Sequence, residues 1–208
     1  ESRDELQTLI GSALVHHYST ELGSLLFVAV DLCNCGARSI GSAKEKMKLA
    51  GLNLRAAKKA LASSSFSLAG HYAGTGIDLM DDKTCWDKYC VLTINLHRVA
   101  VEAYYCQGEL DRMQEYADRI TARVDIPFHD KVDVYATLVN SLFRLGRPSD
   151  AVDLADSVLR NILGRQFVPK RHLKLASLAS VVKTKRLLQC QSRESLESLP
   201  AIKCEKVL

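Results

Sequence analysis

Apolar residues recur at steps of three and four through most of this 208-residue chain, the spacing that lays one face of an α-helix on a core. The pattern is plainest over 47–80. Leu49, Leu52, Ala56 and Ala60 form one stripe and Phe66, Ala69, Ala73, Ile77 and Met80 a second. The small residues 62–65 separate them, so the stretch predicts two antiparallel helices in a hairpin. Gly70, Gly74 and Gly76 fall inside the second helix, where each costs roughly 1 kcal/mol against alanine. Close helix–helix approach is the expected compensation.

The same period predicts the other elements. Ser2 and Glu5 have the spacing of a capping box, opening a helix to about His17 whose core face is Leu6, Leu9 or Ile10, Ala13 and Leu14. Thr20 caps a helix to Cys35 that buries Leu22, Leu25, Leu26, Ala29, Val30 and Cys33, with Gly36 at the left-handed terminal position. Ser42 and Glu45 form a second capping box. Thr84 or Cys85 opens one long helix to Gly108 along Tyr89, Leu92, Leu96, Val99, Ala103 and Cys106, with Trp86 anchoring the preceding hairpin. Leu110, Met113, Ala117, Ile120 and Val124 return antiparallel. Val132, Tyr135, Val139 and Leu142 lead to Gly146. Pro148 suits a first helical turn and precedes Ala151, Ala155, Val158 and Ile162. A last helix, 170–189, carries Leu175, Leu178, Val181 or Val182, and Leu188.

The hairpins share a signature. Gly108 is followed at fixed offsets by Met113, Ala117 and Ile120, and Gly146 by Ala151, Ala155 and Val158. Ser64 takes the glycine position in the first hairpin, with Ala69, Ala73 and Gly76 after it. Small residues at such offsets are the tetratricopeptide pattern. The turn positions lie 44 and 38 residues apart, longer than the standard period of about 34. The expected fold is all-α, a degenerate tetratricopeptide-like α-solenoid of antiparallel hairpins; a compact helical bundle is the alternative. The organisation read from this is a helix pair at 1–41, three hairpins at 42–164 and a basic helical segment at 165–208, in one continuous repeat domain whose two ends read as cuts.

Composition narrows the function classes. Charged residues are 25% and hydrophobic residues 47% of the chain, ordinary for a folded domain. No apolar run reaches membrane-spanning length, and residues 1–5 are no signal peptide. Seven cysteines, odd in number and irregular in spacing, resemble no disulfide framework, so a reducing, cytoplasmic setting is expected. Cys33 and Cys35 lack the further ligands a metal site needs, and adjacent His16 and His17 point about 100° apart on a helix. Asp81, Asp82 and Asp87 sit where acids meet a helix N-terminus. With no H-E-x-x-H, G-x-S-x-G or G-x-x-x-x-G-K-[ST] sequence, no catalytic, cofactor or metal residue is assigned.

The segment 52–80, then Cys85-Trp86, 100–105 (AVEAYY), 130–135 (DKVDVY), 183–188 (KTKRLL) and Leu199-Pro200 together resemble the helical-repeat region of large signalling ATPases of the AAA-like, STAND type. The resemblance covers most of the chain, and departs at Ala57, where family members commonly have glycine. It implies a non-catalytic scaffold that binds a protein partner or neighbouring domains of the same polypeptide, and couples that binding to an adjacent nucleotide-binding domain.

Charge supplies the alternative. Residues 157–193 hold nine basic residues and no acidic one, in a chain of net charge +4. Lys170, Arg171, Lys174, Lys183, Lys185 and Arg186 make a candidate basic face for an acidic partner or nucleic acid. Only Phe167 interleaves with them, a poor platform for stacking bases.

Overall fold

The computed structural model describes residues 2–17, 25–81, 84–164 and 173–189. All regular structure in them is helical. The chain divides into two compact units, Glu1–Arg147 and Pro148–Leu208.

The first unit holds α1 (Ser2–His17), α2 (Leu26–Cys35), α3 (Ala43–Ala62), α4 (Phe66–Asp78), α5 (Cys85–Lys88), α6 (Cys90–Gln107), α7 (Leu110–Thr121) and α8 (Val132–Arg144). α1 packs on α2, α2 on α3 and α3 on α4, and α6 lies against α3, α4, α5, α7 and α8, with α7 also on α8. The second unit holds α9 (Pro148–Leu163) and α10 (Leu173–Gln189). Pro148 opens α9, as its missing N–H and fixed φ favour.

The ends of α3, α6 and α8 are built alike. Ser64, Gly108 and Gly146 have φ of 57°, 82° and 69°, the left-handed conformation expected at equivalent turn positions. After each, the next N–H reaches back five residues: Ser65 to the Ala60 carbonyl at 2.8 Å, Glu109 to Tyr104 at 3.0 Å, Arg147 to Leu142 at 2.9 Å. Ser64, Gly108 and Gly146 themselves donate to Leu61, Tyr105 and Phe143. These paired bonds satisfy carbonyls the helix end would otherwise leave open. Ser64 is the one non-glycine in this conformation among the described residues.

The small residues pack as expected. Ala69, Ala73, Ala117 and Ala151 are fully buried, Met113 and Gly76 are buried, and Ala155 is half-buried. Ala60, Ala69 and Ala103 form one cluster closed by Phe27 and Leu61. A Cβ on Gly76 would come within 2.8 Å of Leu96 Cδ2 and 3.2 Å of Asn53 Cβ. Glycine there allows α3, α4 and α6 to meet.

Several expectations are corrected. Leu6 and Leu9 of α1 are 57% and 67% exposed, and Ile10 and Ala13 also face solvent. The helix instead approaches α2 through Gly11, where a Cβ would lie 2.8 Å from Cys33 Sγ and 2.9 Å from the Ala29 carbonyl oxygen. Gly36 is right-handed at φ −95°, and Ser42 occupies the N-cap position of α3 without a side-chain capping bond. The long helix from Cys85 breaks at Tyr89 (φ −125°, ψ 31°). There the Thr93 hydroxyl lies 3.0 Å from the carbonyls of both Cys85 and Tyr89. Tyr89, Cys106, Leu178, Val181 and Val182 are exposed, and Val124, past the end of α7, is 97% exposed. On α8 the buried row is Val134, Leu138 and Ser141, about 100° round from the expected row. Because α8 touches both α6 and α7, the covered line runs between the two contacts. Thr20, Leu22, Asp82 and the residues beyond Gln189 lie outside the described residues, as do the side chains of Ser2, Glu5, His16, His17, Leu175 and Leu188.

A candidate docking face

Two of the hairpin helices carry cations and treat them oppositely. On α7 and just beyond it every arginine is neutralised. Arg112 pairs with Glu109 at 3.2 Å, Arg119 with Glu115 at 2.8 Å and Arg123 with Asp125 at 2.8 Å. Each guanidinium also lies over a ring: Arg112 over Tyr104 at 5.5 Å, Arg119 over Tyr116 at 5.5 Å and Arg123 over Trp86 at 4.8 Å. The rings themselves are continuous, Trp86 to His97 to Tyr116 to Tyr104, with centroids 5.1–5.9 Å apart. Tyr104 and Tyr116 stack within 12° of parallel. Gly70 and Gly74 leave room for them, since a Cβ there would lie 3.3 Å from the Tyr104 ring and 3.5 Å from the Tyr116 hydroxyl. Those two glycines seat tyrosines. Arg123 beside it holds the Asp125 carboxyl below its usual range, and burial pushes the Tyr116 phenol up.

The link from α6 to α8 is likewise paired. Arg98 bridges to Asp133. Arg144 donates to the Tyr105 carbonyl at 2.8 Å and covers its ring at 5.0 Å. Lys131, buried, donates to the carbonyls of Thr121 and Arg123 that end α7.

On α3 the exposed cations are held differently. Lys44, Lys48, Arg55 and Lys58 are exposed. Their steps of four, seven and three put them on one face, about 21 Å long at 1.5 Å per residue. None takes part in any of the ion pairs among the described residues, which use other cations. Lys59, at the edge of the row, lies over the Phe27 ring at 5.1 Å. No acidic residue occurs between 46 and 77, and Glu45 sits in the first turn of α3, where the helix N-terminus favours it. Like charges three or four apart on a helix destabilise it by about 0.2–0.5 kcal/mol per pair. Lys44 with Lys48, and Arg55 with Lys58, bear that cost; Glu45, three residues before Lys48, offsets part of it in the first pair, and no acid does so in the second. A Cβ on Gly51, between the two pairs, would meet open space.

Beside this row, where α1, α2 and α3 meet, is a half-open cavity of about 460 Å³, within the range of ligand pockets. Val15, Cys33, Ile40, Leu49 and Leu52 line it, with Ser12, Glu45 and Lys48 among its polar residues. Burial pushes the Cys33 thiol up, which disfavours the thiolate form. Below it α2 and α3 are held in register by a reciprocal amide pair, Asn34 to Asn53 at 3.0 Å and back at 2.8 Å, with Asn53 also donating to the Leu49 carbonyl at 3.0 Å. Tyr72 of α4 donates to Asp31 of α2 at 2.9 Å.

The basic face expected near the C-terminus is described only in part. Lys183, Lys185 and Arg186 of α10 are exposed. The side chain of Lys174, and residues Lys170 and Arg171, lie outside the described residues. Sequence reasoning missed the α3 row, although its signal was present: a cation pattern with helical steps in a stretch without acids. Cys33, Cys35, Cys90 and Cys106 are free thiols. No group of three or more His, Cys, Asp or Glu is placed to hold a metal, and no helix is long and apolar enough to cross a membrane, among the described residues.

No family model, curated protein or solved structure matches this chain.

Proposed function

We propose that this chain is a non-catalytic partner-docking region built as a tetratricopeptide-like solenoid, and that it belongs to a larger signalling ATPase whose nucleotide state it biases. The observation that carries the solenoid reading is the repeated helix end at Ser64, Gly108 and Gly146. The run of neighbours supports it: α3 against α6 and α6 against α8, as first helices of successive repeats stack. The ATPase and its STAND-type neighbourhood rest on the family resemblance. Coupling requires a partner that binds the two nucleotide states unequally.

The test is made on the full-length open reading frame. A G-x-x-x-x-G-K-[ST] sequence outside these residues is expected, and ATP hydrolysis by that protein should change when a docked partner is added. A reading frame without a nucleotide-binding motif overturns the ATPase assignment, and hydrolysis indifferent to a bound partner overturns the coupling. A second reading, nucleic-acid binding through 157–193, is favoured by the exposure of Lys183, Lys185 and Arg186. It requires duplex binding that weakens steeply with salt.

A further inference from the structure

We infer that the outward face of α3, with the cavity beside it, holds an acidic polypeptide segment that carries one bulky apolar side chain. This rests on the docking reading above and names its site and the chemistry of its partner. Three observations meet at one place. Lys44, Lys48, Arg55 and Lys58 form a row that enters no ion pair among the described residues, whereas Arg98, Arg112, Arg119 and Arg123 are all paired. A partner bearing carboxylates at matching intervals supplies the missing charge. Lys48 belongs to both the row and the cavity, so a chain lying along α3 passes the opening. The lining of Val15, Cys33, Ile40, Leu49 and Leu52 takes an apolar side chain out of water and fixes the register of the acids around it, as buried anchors do at protein interfaces. Open space at Gly51 lets the partner's backbone come near the helix between the two cation pairs.

Polypeptide is favoured over nucleic acid on the same grounds. No aromatic side chain lies in the row for bases to stack on, and a phosphate backbone has no use for an apolar cavity between its contacts.

The experiment measures binding by the whole chain of a fluorescein-labelled dodecapeptide of glutamates and glycines around one central phenylalanine. Three comparison probes have glutamine for each glutamate, serine for the phenylalanine, or duplex DNA in place of the peptide. The variants are the combined Lys44→Glu, Lys48→Glu, Arg55→Glu, Lys58→Glu protein and, separately, Ser12→Trp, which fills the cavity from an exposed position. Helical circular dichroism and the thermal midpoint show that both are folded. The four reversals are expected to weaken the peptide by roughly tenfold or more, since each removes an attraction and adds a repulsion. Ser12→Trp should lower affinity for the phenylalanine peptide to that of the serine peptide and leave the serine peptide unchanged. The proposal is overturned if the glutamine peptide binds as well as the glutamate one, if Ser12→Trp has no effect, or if duplex DNA binds more tightly than the peptide and displaces it. Acidic-peptide binding that survives the four reversals removes the α3 site and leaves the docking reading standing. Random-peptide display that enriches no sequence on the whole chain removes both.

Discussion

The hairpins α3–α4 and α6–α7 are joined by the same turn and held together by different means. In the first, the seam is alanine and glycine: Ala56, Ala57, Ala60, Ala69, Ala73 and Gly76 are buried, and the exposed cations of α3 enter no ion pair among the described residues. In the second, the seam continues into stacked rings, and the cations lie over those rings with carboxylates beside them. Small residues bring backbones close but leave no side chains at the rim to neutralise a charge. Rings and arginines do both at once, because a guanidinium can lie flat on an aromatic face and still donate to a carboxylate. A hairpin of the first kind keeps its outer surface available; one of the second kind has spent its surface on itself.

The largest test of that contrast is Gly76→Val. A Cβ there already enters the space of Leu96 Cδ2 and Asn53 Cβ, and overpacking of such a seam costs about 1–3 kcal/mol. Chemical denaturation should place the loss near the upper end, because Leu96 and Asn53 are themselves fully buried. An unchanged denaturation midpoint would show that α4 does not depend on close approach.

Tyr72 gives the second test. Its phenol is pushed up first by burial and then by Asp31, to which it donates. The neutral phenol is the form the fold favours, so its contribution is complete below the unfolded value of about 10 and is lost progressively as pH rises above it. Tyr72→Phe should cost about 1.5–3 kcal/mol at neutral pH, the range of a hydrogen bond to a charged group. It should also flatten the fall in stability above pH 10. A slope identical in both proteins would mean that this phenol does not report on folding.

Third is the shared turn. Ser64→Gly should stabilise the chain by about 1 kcal/mol by relieving a left-handed L-residue, and Gly108→Ala should destabilise it by about the same amount. Equal and opposite shifts in thermal midpoint would show that Ser64 and Gly108 bear the same strain in the two hairpins. A neutral Ser64→Gly would mean that the serine is stabilised in this conformation by its surroundings.

That equivalence was legible from residue order alone, as were the helical class and the burial of Ala69, Met113 and Ala151. Turn chemistry and small-residue spacing are local, and local signals survive in a sequence. What could not be read was which of two apolar rows a neighbour covers. Leu6 and Leu9 of α1 and the row from Val132 on α8 have the right period, yet α1 meets α2 through Gly11 and α8 sits between α6 and α7. A period marks a face and does not say how many helices share it. The candidate site was masked differently. The basic run at 157–193 is denser in sequence, but an isolated cation and a paired one look the same until partners are placed. The α3 row is present in the sequence as cations at helical steps, but it stands apart from the other basic residues only once the arginines of α6 and α7 are seen to be neutralised.

The smallest effect distinguishes the two faces most sharply, because its sign should differ between them. Lys44→Glu puts an acid in the first turn of α3, four residues before Lys48. It removes one like-charge pair, creates a favourable one and meets the helix N-terminus, three changes that each stabilise by a few tenths of a kcal/mol. Arg119→Glu on α7 removes a pair with Glu115 and a cation–ring contact with Tyr116, and places two acids four apart near a helix C-terminus, so it destabilises by about 0.5–1 kcal/mol. Low ionic strength should widen the difference and salt should shrink it. If both substitutions destabilise, the positive face of α3 is neutralised within the fold by groups other than those identified. If Lys44→Glu stabilises as expected, the fold of this chain gains nothing from Lys44, and what that cation serves lies outside the fold.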